Sequence, residues 1–171
     1  MTRPSTLVLA WGNPGRRDDG LGPAFAAAVG QLSLPECAVE ANYQLQVEDA
    51  AELAGRERVL FVDADRAGRE PFRIQRLHAE SGGIGFTSHS ISPGQLLALG
   101  RDLFGAEPEA WLMGIRGYEF DQFGEGLSPR ARANLALALD FAREALGEVE
   151  IGGDGRAACA AVIDPELATR G

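Results

Sequence analysis

The sequence predicts an α/β fold, a twisted and mostly parallel sheet of about five strands flanked by helices on both faces. Short apolar runs alternate along the chain with segments of helical period, which is the pattern of successive strand–helix units. The 171 residues are 45% hydrophobic and 24% charged, a composition and size that suit one hydrophobic core. We therefore expect a single three-layer domain over residues 1–147.

Five segments of the chain have the apolar content and length of strands. In chain order they are Thr6–Trp11, Cys37–Tyr43, Arg58–Asp63, Pro71–Leu77 and Ala110–Ile115. The third, RVLFVD, is the clearest buried strand and stops in an acidic run. The fourth alternates polar and apolar residues, which is typical of an edge strand.

Four helices are predicted between and after these strands. They cover Gly22–Leu32, Val47–Ala54, Ile91–Gly100 and a last segment from about Ser128 to Leu146. Ser92-Pro93 and Ser128-Pro129 are N-cap and first-turn pairs, which mark where the last two helices begin. Residues 148–171 are rich in Gly and Ala without clear periodicity, so we expect a poorly ordered tail there.

Charge and targeting signals restrict the partners. The net charge of −9 and pI of about 4.7 disfavour binding to phosphate backbones, so no nucleic-acid partner is expected. Cys37 and Cys159 lie far apart in no metal-binding spacing and are interpreted as incidental thiols of a reducing compartment. The chain lacks the features of a signal peptide and any apolar run of about 18 residues, so we predict a cytoplasmic protein without a membrane partner.

Acidic side chains follow the predicted parallel strands, where ligands bind in open α/β sheets. Asp18 and Asp19 follow the first strand, and Asp63 and Asp65 end the third, while His89 precedes a helix start. Each has an ordinary explanation as a turn former, a helix-dipole partner or a solvated loop histidine. Together, one imidazole and two carboxylates would suit a divalent transition metal. From the spacing alone both interpretations stay open.

Other chemistries are disfavoured by missing motifs. The loop Gly12-Asn13-Pro14-Gly15 follows a strand but does not complete the GxGxxG pattern of dinucleotide binding, and the adjacent aspartates would repel a pyrophosphate. No GxSxG elbow is present, so the sequence does not indicate a serine hydrolase of the α/β type.

Several motifs, taken together, resemble those of the hydrogenase maturation proteases over roughly residues 6–146. Gly12-Asn13 followed by Asp18-Asp19-Gly20-Leu21-Gly22-Pro23 is similar to the opening motif of that family. Leu60–Ala64 resembles its strand ending in Asp-Ala, and Thr87-Ser88-His89 resembles its histidine segment. Gly114-Ile115 and Gly126–Pro129 are similar to its last strand and the start of its last helix.

This resemblance implies an endopeptidase that clips a C-terminal peptide from the nickel-loaded large-subunit precursor of a nickel–iron hydrogenase. Asp19, Asp63 and His89 are then both the catalytic residues and the metal ligands, and Asp18 would either support the loop that carries Asp19 or position Asp19 itself. Nickel would arrive with the precursor, although zinc or cadmium could occupy the same ligands. The precursor is the expected partner, and the enzyme is expected to be a monomer.

The chain departs from the family pattern in two places. Ala10-Trp11 stand where a Gly and a small or branched residue usually precede the Gly-Asn pair, and Glu40–Gln44 replaces a Gly-containing turn. Two alternatives therefore remain. The same fold could serve a non-catalytic metal-sensing or chaperone module. The Gly12–Gly15 turn also resembles that of peptidyl-tRNA hydrolases, although the histidine expected soon after it is absent.

Overall fold

A computed structural model of the protein describes residues 3–81 and 90–147. Within them lies a five-stranded sheet of order β2-β1-β3-β5-β4. The strands are β1 (Thr6–Trp11), β2 (Cys37–Asn42), β3 (Arg58–Asp65), β4 (Phe72–Leu77) and β5 (Glu109–Arg116). The helices are α1 (Leu21–Gln31), α2 (Pro93–Phe104) and α3 (Pro129–Gly147), with 3₁₀ segments at Arg17–Gly20 and Val47–Leu53.

The predicted fold class is confirmed, including the mostly parallel sheet. Strands β2, β1, β3 and β5 pair in parallel, and β4 pairs with β5 in antiparallel fashion at the edge that its alternating sequence predicts. Strand β3 runs two residues beyond its predicted end because Ala64 and Asp65 continue the pairing with β5. The predicted tail, 148–171, lies outside the described residues.

The predicted helix at Val47–Ala54 was wrong in type, since Val47–Leu53 is a 3₁₀ segment. At its start, the backbone N–H of Gln46 donates to Asp49 Oδ2 at 2.9 Å, and the N–H of Asp49 donates to the carbonyl oxygen of Gln46 at 3.1 Å. The chain turns to an extended conformation at Ala54. The segment lies within the connection between β2, which ends at Asn42, and β3, which begins at Arg58, and 3₁₀ turns are frequent in connectors of this kind.

The alternation of side chains along each strand divides the core into two layers. On one face, Val8, Ala10, Leu60 and Val62 pack with apolar residues of α1 and α3. On the other face lie Leu7, Leu9, Val59 and Phe61, which pack with the Val47–Leu53 segment and α2. Full burial of side chains of this size contributes about 1.5–3 kcal/mol each. The three-layer arrangement is therefore confirmed.

The strand order creates one crevice at the carboxyl edge of the sheet. The chain leaves β1 to form β2 on one side and later forms β3 on the other side, so the connections diverge between the carboxyl ends of β1 and β3. Ligands of open α/β sheets bind at such a switch point. Helix α2 ends at Phe104 and β5 begins at Glu109, so the start of α2 points toward this same edge. In the described part of the chain, no helix is long and apolar enough to cross a membrane.

Candidate active site

Two glycines allow the loop after β1 to fold tightly against the sheet. Gly12 has φ +145°, and a Cβ added there would lie 2.0 Å from the carbonyl oxygen of Asp19. A Cβ on Gly22 would lie 2.2 Å from the carbonyl oxygen of Trp11. Both approaches are shorter than any side chain tolerates, so only glycine fits. These contacts explain the spacing of the opening motif and bring the start of α1 against the ends of β1 and β3.

Asp19 lies half-buried in the 3₁₀ turn that this loop forms. The backbone N–H of Asn13 donates to Asp19 Oδ2 at 2.8 Å. Asn13 Oδ1 in turn accepts from the N–H of Gly15 at 2.9 Å. The Asn of the Gly-Asn pair therefore shapes the turn with its side chain and orients the carboxylate with its backbone.

Asp63 lies partly buried in β3, at the crevice. Burial, with smaller contributions from the nearby charges of Asp19 and Asp65, raises the pKa of its carboxyl group to about 7. The N–H of Ala64, at 2.8 Å from Oδ1, and a hydrogen bond from the Trp11 side chain oppose this rise in pKa. Asp63 thus lies close enough to Asp19 for the two charges to interact.

Asp18 has a different environment from its neighbour Asp19. It is fully buried, and its oxygens accept four hydrogen bonds of 2.7–2.9 Å from the N–H groups of Tyr118, Glu119 and Ser128 and from the Ser128 hydroxyl. Burial alone would raise the pKa of this carboxyl, but these hydrogen bonds outweigh it and the pKa is lowered. Asp18 therefore anchors the loop, the supporting role expected for it.

Asp65 is also occupied by structural contacts. Its Oδ1 accepts from the N–H groups of Ala67 and Gly68, and its Oδ2 accepts from Arg73 Nε of β4 at 2.5 Å. Burial would raise its pKa, but these partners lower it overall. Asp65 therefore closes the turn between β3 and β4, and its carboxylate is committed there.

The structure brings together two of the three residues predicted for the site. His89 lies outside the described residues, so its predicted role stays a prediction. Among residues 3–81 and 90–147, no group of three His, Cys, Asp or Glu side chains is arranged to hold a metal ion. Asp19 and Asp63 form an acidic pair, and a divalent cation would relieve the repulsion between their charges. Two carboxylates are oxygen donors of the kind that bind divalent cations, but the described residues alone do not complete a metal site.

Trp11 is a contact residue of Asp63 that the sequence analysis does not identify, because there it is only a departure from the family pattern. The alternation of side chains along β1 and β3 is the feature that could have identified Trp11 as a neighbour of Asp63. Trp11 is two residues beyond Leu9, and Asp63 is two residues beyond Phe61, so both continue the same face of adjacent strands.

No family model matches the chain, and no curated relative does. Solved structures do match. The hydrogenase 2 maturation peptidase from a Thaumarchaeota archaeon is 25% identical with a TM-score of 0.61, covering 83% of this chain and 97% of that one. HybD, the hydrogenase maturating endopeptidase from E. coli, is 24% identical with a TM-score of 0.59, covering 82% and 88%. HycI, a NiFe hydrogenase maturation protease from Thermococcus kodakarensis, is 18% identical with a TM-score of 0.61, covering 80% and 88%.

The fold and the acidic crevice place the chain in a class of single-domain α/β proteins with a site at the switch point of the sheet. Solved structures that share this fold are named hydrogenase maturation peptidases or proteases, the family that the motifs of the chain resemble. The names of these neighbours support the expected kind of enzyme, a peptidase.

Proposed function

We propose that the chain is an endopeptidase that removes a C-terminal peptide from the nickel-loaded large-subunit precursor of a nickel–iron hydrogenase. One observation carries the proposal. Asp19 and Asp63 share the crevice between β1 and β3 in a fold whose solved relatives are named hydrogenase maturation peptidases. Fold alone would not define a reaction, but fold and acidic pair together support this one.

In this proposal Asp19, Asp63 and His89 engage the nickel ion that the precursor already carries. Three protein ligands leave positions on a divalent ion for groups of the substrate, and a bound ion can polarise the peptide carbonyl or activate a water. Asp63 must lose its proton to act as a ligand. Because its pKa is about 7, engagement of the ion strengthens as the pH rises from 6 to 8. Zinc or cadmium would occupy the same three ligands.

The experiment that tests this function compares two forms of one precursor. Nickel-loaded and nickel-free large subunit are each incubated with the purified protein, and the intact mass is followed. We expect the loaded precursor alone to lose the mass of its C-terminal extension. An Asp63→Asn variant serves as the control for a contaminating protease, and it should leave the mass unchanged.

Two other outcomes would contradict the proposal. Binding of the loaded precursor without cleavage would favour a non-catalytic metal-sensing or chaperone module. Release of the peptide from peptidyl-tRNA would favour the esterase alternative. A monomer acting in the cytoplasm completes the proposal, because the precursor would supply the metal and no second copy would be required.

A further inference from the structure

Trp11 occupies the last position of β1 and faces the same side of the sheet as Leu7 and Leu9. Those two residues belong to the core layer beneath α2, and Trp11 packs against that layer half-exposed. Its ring meets the ring of Phe61 edge-on, with centroids 6.2 Å apart and an interplanar angle of 69°. Edge-to-face contacts of this kind fix the orientation of both rings.

Asp63 lies on the same face of the neighbouring strand. It follows Phe61 by two residues, so its side chain points to the side that Phe61 occupies. Ala10 is opposite Val62 in the parallel register of β1 and β3. Trp11 and Asp63 are therefore the next facing positions, on strands that lie about 4.8 Å apart.

The side chains of Trp11 and Asp63 interact from these facing positions, and this interaction lowers the pKa of the Asp63 carboxyl group. Because an indole N–H is only a donor and a carboxylate only an acceptor, the indole would be the donor in this contact. The Trp11 backbone is held as well, because its carbonyl oxygen lies against Gly22 of α1. The donor is thus fixed by the ring contact with Phe61 on one side and by the packed backbone on the other.

Asp63 also accepts from the N–H of Ala64, at 2.8 Å from Oδ1. The N–H of Ala64 in β3 and the indole of Trp11 in β1 approach the carboxylate from different strands, and together they would restrict its rotation about its terminal bond. We propose that Trp11 is a positioning residue that holds the Asp63 carboxylate in the orientation that faces Asp19. The inference rests on the proposed function for its consequence in catalysis, but the contact itself can be tested without any activity.

The direct test is the indole N–H signal of Trp11 in a ¹H–¹⁵N spectrum. The chain has two tryptophans, so two indole signals are expected, and Trp111→Phe assigns them. We expect Asp63→Asn and the addition of Zn²⁺ alone to shift the Trp11 signal and leave that of Trp111 in place. The inference would be overturned if the chemical shift of the Trp11 indole N–H changed in neither experiment.

A second test uses Trp11→Phe, which keeps an aromatic ring but removes the N–H. We expect Zn²⁺ to bind about tenfold more weakly, in the range found when a partner of a metal ligand is removed. Processing should show a similar fall in kcat with little change in KM. Trp111→Phe is the matched control, because Trp111 lies in β5 under Arg76, and it should alter neither quantity.

The outcomes separate the inference from the function on which it rests. If wild-type protein cleaves no precursor but the indole signal follows Asp63, the proposed function fails and the positioning contact stands. If wild type and Trp11→Phe bind Zn²⁺ and process the precursor equally well, the positioning role is refuted and the function stands.

Discussion

Asp18 and Asp63 are both removed from water, yet their surroundings act on them in opposite directions. Asp18 is fully buried and accepts four hydrogen bonds, and its pKa is lowered. Asp63 remains partly accessible, accepts from Ala64 and Trp11, and lies near Asp19, and its pKa is raised to about 7. Burial raises the pKa of both carboxyl groups, so the number of donors and the neighbouring charge decide the outcome.

The difference indicates which aspartate is available for chemistry. A carboxylate whose acceptor positions are filled by backbone N–H groups stabilises the fold and has little left to offer a ligand. A carboxylate that lies beside another acid and accepts few hydrogen bonds is the one whose charged form a cation stabilises most. Such perturbed groups in crevices are common at functional sites, and here the comparison separates the anchor from the candidate ligand.

The largest expected effect is loss of processing when a candidate ligand is replaced. Asp63→Asn, Asp19→Ala and His89→Ala should each reduce cleavage of nickel-loaded precursor by about a thousandfold or more, since removal of a group that acts on the reacting atoms costs about 4 kcal/mol. Intact mass after timed incubation measures the rate, and circular dichroism checks the fold. Normal processing by any of the three variants would show that its residue was wrongly assigned.

The next effect in size is loss of stability when the anchor is replaced. Asp18→Ala leaves three backbone N–H groups and the Ser128 hydroxyl without their acceptor, which should lower the free energy of unfolding by about 3–5 kcal/mol. Denaturant unfolding measures the change. Asp121→Ala is the matched control, because the Asp121 side chain is 93% exposed in its ion pair with Arg66, and its loss should cost less than about 1 kcal/mol. Equal losses from the two variants would contradict the anchoring role.

The raised pKa of Asp63 makes a prediction for stability against pH. The folded protein keeps the Asp63 proton up to about pH 7, whereas the unfolded chain releases it near pH 3.8. The stability contributed by protonated Asp63 is therefore lost progressively as the pH rises from about 4 to 7. Between pH 5 and pH 8, wild type should lose about 2 kcal/mol relative to Asp63→Asn. If the difference in the free energy of unfolding between the two proteins is the same at both pH values, burial does not penalise the Asp63 charge.

The smallest expected effect concerns the hydroxyl that joins the anchor to α3. Ser128 Oγ donates to Asp18 at 2.8 Å and accepts from the N–H of Ala131 at 3.2 Å. Ser128→Ala should cost about 1–2 kcal/mol in the free energy of unfolding. Ser92→Ala removes a comparable helix cap in α2, where Gln95 donates to Ser92 Oγ at 3.1 Å, but does not involve Asp18. If Ser128→Ala lowered the free energy of unfolding by less than Ser92→Ala, the hydrogen bond between Ser128 and Asp18 would contribute little to stability.

Much of the fold could be predicted from the sequence because its strands and helices have clear periods. The buried strand at Arg58 and the edge strand ending at Leu77 were both recognised, as was the helix that follows Ser128. The 3₁₀ segment Val47–Leu53 was not, since an apolar pattern over seven residues does not distinguish one helix type from the other. The order of the strands also requires structure, because it depends on contacts between distant segments.

The site was predictable in part for the same reason. The positions of the strand ends indicated Asp19 and Asp63. The sequence does not distinguish Asp18 from its neighbour Asp19, although Asp18 anchors the loop and Asp19 faces the crevice. The partners of Asp18 are 100–110 residues away. Trp11 required the register of β1 against β3, which no local pattern provides.

This long separation has a consequence for the order in which the protein is made. Ser128 and the two amides near Tyr118 are translated about a hundred residues after the turn that they hold. The first three strands can therefore emerge from the ribosome before the hydrogen-bond donors of Asp18 have been made, and such non-local closure comes late in folding. The turn that carries Asp18 and Asp19 would therefore gain these contacts only after most of the described residues have been synthesised.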